Sequence, residues 1–391
     1  MKNGVFEKDD YAEIQRKYFD QLFTAGRVDA DPSGWLLTYS DAEKFLQLPQ
    51  VSPHDFAKYH VDEGRSLAGH KERLVPLLSS WEGRSLQPGE FTLCPSGGCA
   101  SLVTLATLKA LGIKKILFET PAYFATIEQA REVGLQVELL PTYRNDGYEL
   151  RNVGSKLRHP QIGLWITQPR AALGFDQSCD TVGRWARQIG QRGYVVSDEV
   201  TDQTFPSHLS KLAELAPHAN VVRIRSFTKG MGLNGLRLAT ILHSAQLRAH
   251  LVDSLETFGG SIDAHSLIAV TKLAESQSRF RRMLMAANAQ VNDLRNKAER
   301  LVRGSPITVN RLTNGYIGSM IADLRGLGCT QKQRRVRLLR WCSEKCTPVI
   351  LGSSFYMAQS PPTEAVRLNF FNRRENITRG IVNILQLWED R

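Results

Sequence analysis

No apolar run in this 391-residue sequence approaches the roughly 20 residues needed to cross a bilayer. Stretches such as Val221–Ile224 and Leu236–Leu242 are only strand-length. The opening MKNGVFEKDD is charged from its second residue and lacks an apolar segment ending in a small-residue cleavage site, so no secretory signal is expected. The expectation is a soluble, cytoplasmic protein without a membrane partner. Cysteine is sparse: Cys94, Cys99, Cys179, Cys329, Cys342 and Cys346 form no CxxC pair and no disulfide-scaffold density, which points to reduced thiols. Cys342 and Cys346 stand one helical turn apart, but no His or Cys cluster accompanies them, and no metal site is expected. Internal repeats and low-complexity tracts are absent as well. The net charge of +11 could attract nucleic acid, yet the basic residues are spread along the chain rather than gathered with aromatics, so no nucleic-acid partner is expected. The densest run, Lys332 to Arg340, fits the polar face of a helix whose apolar side carries Val336, Leu339 and Trp341.

The chain does have ordinary apolar content, 42% of residues, which suffices for a large core and excludes global disorder. From about residue 94 onward, helical and strand patterns alternate, the signature of parallel strands joined by crossover helices. Helices are expected at Leu102–Leu111 and Tyr123–Val133, each stopped by a glycine, and at Thr181–Gln191. Strands are expected at Ile113–Phe118, Gln136–Leu140, Ile162–Thr167, Tyr194–Ser197, Val221–Arg225 and Leu236–Leu242. After Gly260 a helix-compatible stretch runs from about Ala264 to Val302. Shorter strand candidates follow at Tyr316–Ile321, Pro348–Leu351 and Val366–Phe370, with helices near Gln331–Glu344 and Ile377–Trp388. The fold class expected is α/β, with a mainly parallel central sheet in a large domain (51–285) and a smaller α+β domain (286–391). Residues 1–50 are expected to pack with the small domain.

The most informative stretch is Ser226-Phe227-Thr228-Lys229-Gly230-Met231-Gly232-Leu233-Asn234-Gly235-Leu236-Arg237, lying between two strand candidates. Read alone, it is a polar glycine-rich turn with one lysine and one arginine. Three further segments precede it. Pro95-Ser96-Gly97-Gly98-Cys99 opens a helix, where small residues let main-chain N–H groups face an anion or simply cap the helix. Thr120-Pro121-Ala122-Tyr123 puts an aromatic ring just past a strand. Val195-Val196-Ser197-Asp198-Glu199 ends an apolar strand in acids, which are costly to bury without a partner. Near the C-terminus, Arg367 interrupts the apolar strand Ala365-Val366-Arg367-Leu368, which suits an arginine facing an anion or a structural ion pair.

Taken together and in this order, these segments resemble the class I/II aminotransferases, fold-type I enzymes that use pyridoxal 5′-phosphate. The resemblance implies that Lys229 carries the cofactor as a Schiff base and moves the α-proton of the substrate. It implies that Asp198 pairs with the pyridine nitrogen, and that Tyr123 stacks on the ring. Ser226, Arg237 and the amides of Gly98 and Cys99 then hold the phosphate, and Arg367 binds the substrate α-carboxylate. Tyr59, with Gly64, resembles a tyrosine lent to the neighbouring subunit's phosphate, and a homodimer is implied.

Two departures stand out. Ala171 occupies the place of the family's asparagine and Thr201 the place of its tyrosine, both donors to the cofactor's phenolic oxygen, leaving Gln168, Arg170 or Thr201 as substitutes. The activity expected is aminotransferase-like conversion of an L-α-amino acid. The alternative is a lyase-type β- or γ-elimination, replacement or cyclisation, similar to aminocyclopropane-carboxylate synthase, with S-adenosylmethionine as a candidate substrate. A non-enzymatic effector-binding role is a third reading, but no helix-turn-helix precedes the sheet domain and the lysine is intact.

Overall fold

A computed structural model describes residues 15–33, 52–53, 66–142, 150, 153–170, 173–174, 176–227, 229, 235–309, 317–322, 327, 330–355 and 364–389. Its centre is a seven-stranded sheet in the order β1-β7-β6-β5-β4-β2-β3. The strands are β1 (Phe91–Cys94), β2 (Lys115–Thr120), β3 (Gln136–Pro141), β4 (Ile162–Thr167), β5 (Tyr194–Asp198), β6 (Val221–Ser226) and β7 (Ala239–Leu242). The sheet is parallel from β6 through β3, whereas β7 runs antiparallel to both of its neighbours, β6 and β1. Runs such as Ile162–Thr167 are buried throughout rather than alternating, as expected of strands covered on both faces.

The covering helices follow from local sequence. α1 (Ser66–Glu82) precedes the sheet and α2 (Gly97–Ala110) follows β1. The hydroxyl of Ser96 caps α2 by accepting the Cys99 N–H at 3.1 Å. At its far end Gly112 takes φ +85°, letting the Ile113 amide reach back to the Leu108 carbonyl. α3 (Phe124–Glu132) follows β2, and α4 (Cys179–Ile189) buries Val182, Trp185, Ala186 and Ile189, one helical face, against the sheet.

α5 (Arg248–Phe258) and α6 (Ala264–Ala274) follow the sheet, and α6 packs against α1. The expected single helix from Ala264 to Val302 is in fact two: Ser276 leaves helical geometry and α7 (Gln277–Val302) starts anew. Glu275 and Ser276 carry no strong breaking signal. Packing sets the division, because α6 stays on the large sheet while α7 leads away from it.

Beyond α7, a second, antiparallel sheet has the order β10-β9-β8, with β8 (Ile307–Val309), β9 (Ile317–Ala322) and β10 (Glu364–Asn369). α8 (Gln331–Glu344) and α9 (Arg374–Glu389) accompany it. No strand forms at Pro348–Leu351, contrary to expectation. Leu351 makes only an isolated bridge to Val366, because the chain turns at once into a 3-10 turn at Gly352–Phe355. β1, β8, α1 and α5 were not anticipated.

Apolar packing divides along α7. Phe280, Met283 and Leu284 pack with Trp81, Phe227 and Leu267 under the large sheet. Ala287, Val291 and Leu294 pack with Phe19, Met320, Leu338 and Ile381 around the small one. Phe19 and Leu22, from the N-terminal segment, thus lie in the same cluster as the C-terminal helices.

Close approach at one glycine yields a stability test. A Cβ on Gly193 would sit 2.3 Å from the Ile162 carbonyl oxygen, a backbone atom that cannot turn aside, whereas Gly69 in α1 has open space around it. Gly193→Ala is expected to destabilise by about 2 kcal/mol, and Gly69→Ala to stabilise by about 0.5–1 kcal/mol. Urea unfolding midpoints check both.

Candidate active site

The C-terminal ends of the parallel strands converge on one edge of the large sheet, the place where open α/β sheets carry their ligands. β1 ends at Cys94 and leads through Ser96 into α2, β2 ends at Thr120 beside Tyr123, β5 ends at Asp198, and β6 ends at Ser226 just ahead of Lys229. Strand register places Thr167 next to Asp198, and Ala239 of β7 next to both Ser226 and Cys94. Segments far apart in sequence therefore present their chemistry along one line.

Electrostatics tie these groups together. Asp198 is buried, and burial pushes its carboxyl from 3.8 up to about 6, with Glu199 adding to the rise. Lys229 and the Val200 N–H, which donates to Asp198 Oδ1 at 3.2 Å, oppose it. Burial likewise lowers the Lys229 amine, as do Arg237 and Arg367, while Asp198 pulls it upward. Tyr123 feels Arg367, Asp198 and Arg237 beneath the effect of its own burial, which raises the phenol. Its side chain still keeps 42% of its surface exposed. One carboxylate, one amine, two guanidiniums and one accessible ring thus share a single locality.

The strand-end loops are held by local hydrogen bonds. The Lys229 N–H donates to Ser226 Oγ at 3.3 Å, and the Arg237 N–H donates to Ser266 Oγ at 2.9 Å at the start of α6. Cys99 directs its thiol at the Gly259 carbonyl at 3.6 Å. A hydrogen bond with Cys94 lowers that thiol against the effect of burial. Arg367 is fastened by the N-terminal segment. Its Nη2 donates to the Ser33 carbonyl at 2.7 Å, and Ser33 Oγ donates back to the Arg367 carbonyl at 2.5 Å while accepting from the Ile350 N–H at 3.1 Å. Ser33 was missed at the level of sequence, because a lone serine more than 300 residues from its partner carries no local signal.

On the opposite face lies a buried charge cluster, also missed. Arg223 and Arg225 project from β6 on the face away from Ile224 and meet Glu82, Glu199 and Asp202. The Arg225 guanidinium also lies 4.3 Å from the Trp81 ring centroid. Burial pushes Glu199 up, but Arg223 and Arg225 hold it below the usual carboxylate range. Glu199 is thereby anchored beneath the sheet, one residue from Asp198. Alternating arginines in the strand Val221-Val222-Arg223-Ile224-Arg225 were the available signal.

Of the side chains offered as substitutes near Asp198, Arg170 is committed elsewhere. Its Nη2 donates to Glu119 Oε1 at 2.5 Å, on the sheet face opposite Asp198. Gln168 accepts the Gln177 N–H at 2.9 Å, and Thr201 is half-buried. Tyr59 and Ala171 lie outside the described residues. Among the described residues, no group of three or more metal-ligating side chains occurs and no helix is long and apolar enough to cross a membrane.

The raised Asp198 has a measurable consequence. A carboxyl whose folded pKa exceeds its unfolded value contributes stability that is full below about pH 4 and lost as pH rises through about 6. A rise of this size is worth about 3 kcal/mol. Asp198→Asn in the protein without ligand is therefore expected to gain stability over wild type at pH 7.5, with the gain shrinking toward pH 4.5. Chemical denaturation across that range tests it.

Comparison with known proteins agrees with this geometry. Residues 64–311 match the family described as aminotransferase class I and II. A histidinol-phosphate aminotransferase from Deinococcus radiodurans is 24% identical over 193 residues, covering 48% of this chain and 51% of that protein, so the match spans about half the length of that relative. The aspartate aminotransferase of Thermus thermophilus with maleate superposes with a TM-score of 0.75 at 17% identity, covering 96% of both chains. An aspartate aminotransferase from Thermotoga maritima gives 0.70 at 16% identity over 97% of this chain and 96% of that one. An aromatic aminotransferase from Pyrococcus horikoshii gives 0.68 at 15% identity, over 90% and 99%. These likenesses show a fold-type I architecture, and the family match, covering well over half the sequence, shows that the chain belongs to the class I and II aminotransferases.

Proposed function

We propose that this protein is a pyridoxal-5′-phosphate-dependent enzyme that transfers the amino group of an L-α-amino acid, with Lys229 as cofactor-bearing and proton-moving residue. The observation that carries the reading is the electrostatic gathering of Asp198, Lys229, Arg237 and Arg367 around one strand-end locality. The donor set suits the cofactor: an amine for its aldehyde, a carboxylate for its ring nitrogen, a guanidinium and a hydroxyl for its phosphate. The cradle suits it too. A Cβ on Gly97 would come within 2.7 Å of Val200 Cγ1, so the start of α2 lies tight against the turn after Asp198, while Gly98 beside it has room.

Bound there, the cofactor supplies an electron sink for a bond broken at the substrate α-carbon. The chain's own residues do the rest. Lys229, its amine pushed toward the neutral form by burial and by two arginines, would hold the cofactor through its amine and move the α-proton. Asp198 would face the cofactor's ring nitrogen, whose positive charge would favour the carboxylate form. Arg237 and Ser226 hold the phosphate, with the amides at Gly98 and Cys99 beside them. Tyr123 offers its accessible ring as a stacking platform. Arg367, held from behind by Ser33, would bind the α-carboxylate and so orient the substrate's α-carbon. The enzyme acts as a homodimer, which sedimentation of the loaded protein would register.

Thr201 in place of a phenolate donor favours a second reading, in which the same site steers toward elimination, replacement or cyclisation with an activated substrate such as S-adenosylmethionine. Product mass separates the two, since amino-group transfer leaves the side chain intact.

The wild type is expected to gain a near-visible absorbance band with pyridoxal 5′-phosphate, and borohydride to fix the cofactor on Lys229 in the peptide map. Lys229→Ala should show neither and should lose at least about 100-fold in turnover. A protein that stays colourless, or a label on another lysine, contradicts the assignment.

A further inference from the structure

A chain of buried contacts runs from the large sheet to Arg367. Glu119, on β2 just ahead of the Thr120–Tyr123 segment, is 1% exposed and binds Arg170 Nη2 at 2.5 Å and Gln177 Nε2 at 2.7 Å. Arg170, 2% exposed, begins the turn that follows β4, and its carbonyl accepts from the N–H groups of Leu173 at 3.2 Å and Gly174 at 2.9 Å. The Leu173 carbonyl accepts from Ser319 Oγ of β9 at 3.3 Å. Ser319 is fully buried and is the cross-strand partner of Arg367 on β10. Directly paired residues of antiparallel strands present their side chains to the same face, with Cβ atoms about 5 Å apart.

Resting on the functional reading above, we propose that Glu119, Arg170 and Ser319 are positioning residues for carboxylate recognition: the strut they form docks the small sheet on the turn after β4 and sets Arg367 relative to Lys229. An ion pair buried this deeply is a weak source of stability, since desolvation of both charges offsets most of their attraction, but it fixes geometry strictly. Burial raises the Glu119 carboxyl even with Arg170 pulling it down, so the pair holds only while the guanidinium stays in place. One end of the strut lies on β2, which leads into Tyr123, and the other lies beside Arg367. Both ends move together if it slackens.

The test uses the full-length protein loaded with pyridoxal 5′-phosphate and propionate as a carboxylate probe, titrated calorimetrically. Arg170→Met leaves Glu119 buried without its partner and can compromise folding, so Ser319→Ala and Arg170→Lys accompany it, each checked by thermal melting. Ser319→Ala is expected to weaken propionate binding about fivefold to tenfold, the loss of one hydrogen-bonded contact, with cofactor affinity unchanged. Arg170→Lys should recover most of the affinity that Arg170→Met loses, and Arg170→Met/Ser319→Ala should bind no worse than the weaker single variant, because both act through one strut. Unaltered propionate affinity in Ser319→Ala, additive losses in the double variant, or a parallel fall in cofactor affinity would overturn the strut. Failure of the wild type to take up cofactor overturns the functional reading instead, and the strut's role in recognition with it.

Discussion

An acid at the end of β5 and an amine just past the end of β6, each within reach of the other's charge, form the constraint on which this structure turns. Neither Asp198 nor Lys229 is comfortable where it sits: burial drives the carboxyl up and the amine down, and each partly corrects the other. Such an arrangement persists only if the backbone on both sides is held firmly. β5 and β6 lie side by side in the middle of the sheet, and beneath them Glu199 is fastened by Arg223 and Arg225. The charged layer on one face thus anchors the residue next to Asp198 from below.

This division of labour explains why so many ionisable groups are buried in one sheet. Upper-face Asp198 and Lys229 have shifted protonation, which suits chemistry. Lower-face residues are locked in mutual ion pairs, which suits geometry. Glu119 and Arg170 belong to the second kind, although they lie at the edge where the two lobes of the molecule meet.

Much of the upper face was legible in the sequence, because strand-end chemistry is written locally. Asp198 closes an apolar run, Lys229 and Arg237 share a glycine-rich turn, and Gly98 and Cys99 open a helix. Element types followed from period and glycine stops, with strand and helix ends shifted by a residue or a few. The lower face was not legible. The Arg223–Glu82 contact there joins residues 141 positions apart, as the Ser33–Arg367 contact beside the site joins residues 334 apart, and nothing in either segment names its partner. The break at Ser276 was hidden for a related reason: both sides are good helix formers, and only tertiary packing decides where one helix stops.

α7 belongs to two cores at once, its first turns under the large sheet and its remainder around the small one. A rod shared in this way gives each lobe part of its apolar cover from the same 26-residue helix. The two apolar clusters are thereby joined through a single helix.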